Sequence, residues 1–193
     1  DLNVVQQVNF TNERYSDDLN GHGTHVAGIA AARDNTAGVV GVAPGARIWS
    51  VKVLNRQGSG YLSDVIEGID YVTANAASIE TANMSLGCTG CQTAAMDSAI
   101  SQSVAAGVVY AVAAGNSAID ASNDSPANHP DVLTVSAIAD FNGLPGGGAA
   151  PTCRTDVDDT FADFSNYGSV VDIAAPGVCI LSTYKGGKYA VMS

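Results

Sequence analysis

Between residues 47 and 138 the chain alternates two kinds of apolar spacing, and this alternation restricts the fold more than any other feature of the sequence. Arg47-Ile48-Trp49-Ser50-Val51-Lys52-Val53-Leu54 alternates apolar and polar side chains, the period of a strand, whereas Leu62, Val65, Ile66, Ile69, Val72 and Ala76 lie on one helical face of residues 62–77. Ile79–Leu86 reads as a strand and Thr93–Ala106 as a helix with Ala95, Ile100 and Val104 inward. Val108–Ala113 is a continuous apolar run, which predicts a strand buried on both faces, and Val132–Ile138 predicts a further strand. Strands separated by helices and joined by right-handed crossovers give an α/β fold: a parallel β-sheet covered by helices on both faces, in three α/β/α layers. Chemistry in such folds sits at the carboxyl ends of the strands. From Asn142 to Asp159 the pattern weakens, and Gly146-Gly147-Gly148 with Asp156, Asp158 and Asp159 reads as a surface excursion.

Composition removes several classes of function. The 193 residues suit one domain or a large part of one, and with 46% hydrophobic residues they can build a real core. Eight Lys+Arg against 19 Asp+Glu leave a net charge of −11, which argues against nucleic acid or an anionic membrane as partner. The longest apolar run, Val104–Ala114, is too short to span a bilayer, and no charged leader followed by an apolar stretch opens the chain. Four cysteines, Cys88, Cys91, Cys153 and Cys179, allow three pairings. Two disulfides, a metal site and free thiols all remain open on spacing alone; an even set suits an exported chain.

The common nucleotide and hydrolase motifs are missing. There is no Gly-x-Ser-x-Gly elbow, no His-Glu-x-x-His helix and no phosphate loop, because Gly187-Lys188 runs into Tyr189; Gly21-x-Gly23 meets Val26 where a dinucleotide fingerprint requires glycine. What stands out is His22, set between two glycines as a small-residue helix begins. His25 and His129 read as structural, hydrogen-bonded residues. Asp17 and Asp18 read as solvated loop acids. Asn116 follows a buried strand in Ala113-Ala114-Gly115-Asn116-Ser117, where its amide can donate a hydrogen bond at the strand's carboxyl end.

Gly21-His22-Gly23-Thr24-His25-Val26-Ala27-Gly28, Gly38-Val39-Val40-Gly41-Val42-Ala43-Pro44, Asn83-Met84-Ser85-Leu86-Gly87, Ala113-Ala114-Gly115-Asn116 and Ala174-Ala175-Pro176-Gly177 occur in one order along the chain. With them the chain resembles the subtilisin-like serine proteases, the subtilases, along essentially its whole length. The resemblance implies a serine endopeptidase with a Ser/His/Asp triad, in which His22 is the general base and Asn116 donates to the oxyanion. A serine hydroxyl becomes a nucleophile only when an imidazole takes its proton, and the imidazole needs a carboxylate to orient it.

By the same resemblance, the triad carboxylate lies before Asp1 and the nucleophilic serine just after Ser193, so neither Asp17, Asp18 nor Ser117 is promoted to fill those roles. Residues 1–193 are then a single catalytic domain truncated at both ends, expected to be inactive and unstable alone. Ser85-Leu86-Gly87 and Ala113-Ala114-Gly115 resemble the walls of the pocket for the residue before the cut bond, and their small side chains suggest a large apolar occupant. Gly58-Ser59-Gly60 resembles the edge that pairs with extended substrate, and Leu62 either lines a second apolar pocket or opens the helix core. The resemblance also implies a structural calcium held by the Asp1 carboxylate, the Asn35 side chain and the carbonyls of Arg33, Ala37 and Val39. Asp172 is a weaker cation candidate. Cys88–Cys91 and Cys153–Cys179 are the pairings adopted beside the family pattern, the first at the pocket rim. Expected partners are polypeptide substrates, the protein's own propeptide or the missing N- and C-terminal pieces; no nucleic acid and no membrane are expected, and the location is secreted. Two competing readings are a catalytically silent subtilase-like interaction domain and a thiol-redox module on Cys88-x-x-Cys91.

Overall fold

In chain order the elements are β1 (Asn3–Asn9), α1 (His22–Ala31), β2 (Arg47–Lys52), α2 (Leu62–Ala74), β3 (Thr81–Met84), β4 (Cys88–Thr89), α3 (Ala94–Ala105), β5 (Val109–Ala113), β6 (Asp124–Ser125), β7 (Leu133–Ala139), β8 (Thr160–Phe161), β9 (Ile173–Pro176), β10 (Ile180–Tyr184) and β11 (Lys188–Met192). They come from a computed structural model that describes residues 1–193, and they fall into two compact units, residues 1–71 with 181–192 and residues 72–180 with 193.

In the first unit β1 and β2 pair in parallel, with an irregularity between Val4 and Gln6. That bulge, with Gln6 and Gln7 beside it, explains why β1 shows no clean alternation in the sequence. The α2 stripe read at Leu62, Val65, Ile66 and Ile69 is real: Val65 and Ile69 are buried and Leu62 and Ile66 half-buried. Tyr71 of α2 meets the rings of Phe10 and Trp49 at 5.9 Å and 6.2 Å, which docks the helix on the strand pair. Helix α1 is fixed by a different device. The Ser182 and Thr183 hydroxyls of β10 donate to the carbonyls of His25 (2.7 Å) and Thr24 (2.8 Å), and Gly28 lies against them, so that a Cβ there would stand 3.0 Å from the Thr183 nitrogen and closer still to both hydroxyls. Gly28→Val is therefore expected to lower stability by about 3 kcal/mol through overpacking and loss of these bonds. An unchanged thermal midpoint would show that this contact does not hold α1.

In the second unit β3, β5, β7 and β9 form a parallel sheet, with β8 antiparallel to β7. Thr93 caps α3 by accepting from the Met96 amide, and Met96, Ala99, Ile100 and Ser103 are buried. Tyr110, 1% exposed, donates its hydroxyl to Ser103 at 2.8 Å, joining β5 to α3. Within this unit β5 is not buried on both faces as its continuous apolar run predicts. Tyr110 and Val112 are buried while Val109 is 50% exposed, because α3 covers one face of the strand.

The stretch 142–159 is mostly exposed, as expected, but it is ordered from within. Asp158 is 2% exposed, and its carboxylate accepts the amides of Phe141 (2.7 Å) and Ala149 (2.8 Å), which hold it below the usual carboxylate range. Cys153, paired with Cys179, ties the same excursion to the end of the sheet. The second disulfide is Cys88–Cys91, so both adopted pairings are present and no cysteine is free. No helix is long and apolar enough to cross a membrane.

Candidate active site

His22 is the first residue of α1 and follows Gly21, whose left-handed φ of 104° turns the chain into the helix. The ring is half-buried, and burial, seconded by His25, pushes its pKa below the ordinary value of 6.5 against the opposing charge of Asp18. It is a neutral imidazole at neutral pH, able to take a proton. Asp18 is not the solvated loop acid that its polar surroundings suggest. It is half-buried, and it accepts the amides of Asn20 (3.0 Å), Gly21 (2.7 Å) and Thr24 (2.7 Å) and the Thr24 hydroxyl (2.7 Å). Burial raises its pKa, but these bonds outweigh that and leave it lowered. Asp18 thus satisfies the open amides at the start of α1 and fixes the backbone that carries His22. Asp17 is exposed.

The other two histidines are structural, as read from the sequence. His25, 3% exposed, pairs its Nε2 with the Ala190 carbonyl at 3.1 Å. His129 accepts the Asp131 amide at Nδ1 (3.1 Å) and points Nε2 at the Asp97 carbonyl (3.1 Å). A ring nitrogen facing a carbonyl carries the proton, so His129 is no base toward Ser101, whose hydroxyl lies 3.2 Å away.

In the second unit Met84 pairs with Val112, so the ends of β3 and β5 lie side by side and the segments Ser85-Leu86-Gly87 and Ala114-Gly115 leave from adjacent strands. The structure thereby brings the two predicted pocket walls together. Asn116 lies just beyond β5 and is exposed, with its side-chain amide unpaired. Its loop hangs on a residue that sequence reasoning missed. Asn166, 0% exposed, donates to the Ala114 carbonyl (2.8 Å) and the Asp124 Oδ2 (3.1 Å), and its Oδ1 accepts the amides of Ser117 (3.0 Å) and Ile119 (3.2 Å). No local pattern signals this, because the partners lie about 50 residues earlier.

In the first unit Gly58, Ser59 and Gly60 are exposed but form a turn rather than a strand. Gly58 N–H donates to the Asn55 carbonyl (2.9 Å), Ser59 N–H to Asn55 Oδ1 (3.2 Å), and the Ser59 carbonyl accepts the Asn55 amide (2.8 Å). The Gly58 carbonyl and both the amide and the carbonyl of Gly60 remain unpaired, so an extended peptide would find these three groups. A groove of about 230 Å³ lined by Asn55, Ser59, Gly60, Tyr61 and Asp64 opens beside them.

Of the expected calcium ligands, Asp1 and Asn35 meet. Asn35 Nδ2 donates to Asp1 Oδ1 at 3.0 Å, the Arg33 amide donates to the Asp1 carbonyl at 2.9 Å, and Asn35 Oδ1 accepts the Ala37 amide at 2.9 Å. Tyr189 donates its hydroxyl to Asp1 Oδ2. Val39 is half-buried in the same loop. The residues offer oxygens of the kind calcium accepts, but Asn35 turns its Nδ2 to Asp1 and its Oδ1 to the Ala37 amide, so its oxygen would face a cation beside Asp1 only if the amide rotated and gave up the bond to Ala37. Asp172 instead accepts the Thr134 amide at 2.8 Å and serves the β7–β9 pairing.

The sequence matches the model of the subtilase family over residues 2–192. The chain belongs to the subtilase family. It is 40% identical over 195 residues to the thermophilic serine proteinase of Bacillus sp. strain AK1, covering 100% of this chain and 43% of the relative. It is 38% identical over 197 residues to subtilisin DY of Bacillus licheniformis (100% and 65% covered) and 40% identical over 190 residues to proteinase T of Parengyodontium album (96% and 57%). Among solved structures it is similar to a cold adapted subtilisin-like serine proteinase, with a TM-score of 0.82 and 39% identity, over 99% of this chain and 62% of that one. This likeness bears out the subtilisin-like α/β fold class. The subtilase spans about half the length of the curated relatives it matches, from 43% to 65% of those named.

Proposed function

We propose that this subtilase stretch supplies the general base and the oxyanion donor of a secreted serine endopeptidase. The observation that carries the reading is His22: a half-buried, neutral imidazole held at the start of α1 by the Asp18 cap, in the family's histidine motif. His22 takes the proton of a serine hydroxyl as that oxygen attacks the peptide carbonyl, and returns it to the leaving amine. The exposed Asn116 amide donates to the carbonyl oxygen as it becomes negative, a contribution that grows toward the transition state. On this reading the carboxylate and the nucleophilic serine are the triad members that residues 1–193 are not assigned to supply. Ser85–Gly87 and Ala113–Gly115 wall the pocket for the residue before the cut, Gly58-Ser59-Gly60 offers backbone groups to the substrate, and Leu62 lines a second apolar pocket or opens the helix core. Polypeptides are the substrates and the protein's own propeptide is a natural partner. Two disulfides support export.

A serine-reactive fluorophosphonate applied to the full-length protein tests this reading. Labelling that is lost on prior incubation with substrate supports it, and absence of labelling in folded protein favours a silent domain. A structural calcium bound by Asp1 and Asn35 with the carbonyls of Arg33, Ala37 and Val39 would link the first residues to the 33–39 loop. Excess chelator is then expected to lower the thermal midpoint, by several degrees at about 2 kcal/mol. An unchanged melting curve would remove these residues from the metal list.

A further inference from the structure

One buried carboxyl of the second unit, that of Asp124, keeps an oxygen that neither the fold nor the proposed chemistry uses. Asp124 is 5% exposed and lies in β6, whose short antiparallel pairing with β4 sets it opposite Thr89. A Cβ on Gly87 would stand 2.9 Å from its Oδ1 and a Cβ on Gly115 2.7 Å from its Oδ2. The carboxylate therefore sits between the glycines of the two pocket walls, in space that exists because neither has a side chain. Gly87 itself is exposed, so the carboxylate lies one layer below the rim.

Its bonding is incomplete. Oδ2 accepts from Asn166 Nδ2 (3.1 Å) and the Thr89 hydroxyl (3.5 Å), whereas Oδ1 is buried with no hydrogen-bond partner. Burial pushes its pKa up, only partly opposed by Asn166, Thr89 and the Cys88 amide. No internal cation answers it. Arg154 is the only Lys or Arg between residues 72 and 180, and it is already held by Asp156 (2.9 Å) and Asp163 (2.6 Å). A carboxylate buried without its counter-charge is unfavourable, and a ligand that brings charged N–H donors relieves that cost. Small walls on either side of an unpaired, buried carboxylate oxygen suit a long side chain ending in a cation.

We infer that Asp124 makes this pocket select a lysine or arginine side chain before the cut bond. This rests on the endopeptidase reading and its wall assignment, and it replaces the large apolar side chain that the walls alone suggest. The cation pairs with Oδ1 while the aliphatic stem runs between the Leu86 and Ala114 segments.

The test is cleavage by the full-length protein of peptide nitroanilides that differ only in Arg or Phe before the scissile bond. Arg is expected to exceed Phe in kcat/KM by about 100-fold, and Asp124→Asn to collapse that ratio by a similar factor. Benzamidine, a flat cation, is expected to compete with the Arg substrate where uncharged benzamide does not, a readout that needs no variant. Preferred cleavage of Phe, or benzamidine without effect, overturns the cation pocket and leaves the protease standing. Cleavage of neither substrate removes the protease reading and the selectivity with it.

Discussion

Replacing His22 by alanine in the full-length protein is expected to reduce peptide cleavage by about 10⁶-fold, a magnitude established for the triad of subtilisin and taken over here. The reason is chemical rather than structural. The ring is half-buried and, unlike those of His25 and His129, makes no hydrogen bond, so its loss opens no network. The His22→Ala protein should keep its thermal midpoint within a degree or two while losing turnover. That split separates His22 from His25, whose replacement would break the contact to Ala190 and cost stability first. Turnover that survives in folded His22→Ala protein would end the general-base assignment.

Asn166→Ala is expected to be the most damaging single change to stability, at about 3–5 kcal/mol. Four hydrogen bonds of 2.8–3.2 Å converge on its amide, and the residue is 0% exposed. Truncation leaves the Ala114 carbonyl short of a partner and strips Asp124 of its best donor, each in a place that water does not reach well. Asn166→Asp keeps the volume but turns a donor into an acceptor facing a carbonyl and a carboxylate, so it should fare no better. Urea unfolding of both variants checks this. A loss below about 1 kcal/mol would mean that the backbone pair between Asn166 and Gly115 holds the loop without the side chain.

β2 and α2 were legible because each is a run of at least five residues with an unbroken period, and such a run has one way to bury its apolar side. α3, β5 and β7 were legible as elements but not in every face, since Ala95, read as inward, is exposed and the continuous run of β5 is open at Val109. β1 was not, because its bulge and its glutamines break the period, and β10 and β11 carry polar residues that are needed inside, such as Ser182, 0% exposed. Asp18 looked like a loop acid because nothing local announces that four donors will converge on it.

The local periods and the family motifs are properties of the sequence alone, and the motifs name His22, Asn116 and the two wall segments as candidates. Only the tertiary structure decided what stands behind those residues. Asp18 beneath His22's helix, Asn166 beneath Asn116's loop and Asp124 between Gly87 and Gly115 are all polar groups whose role depends on burial and on partners. The physical reason is that an apolar stripe is defined by its own spacing, whereas a buried carboxylate or amide is defined by the atoms that do or do not complete its hydrogen bonds.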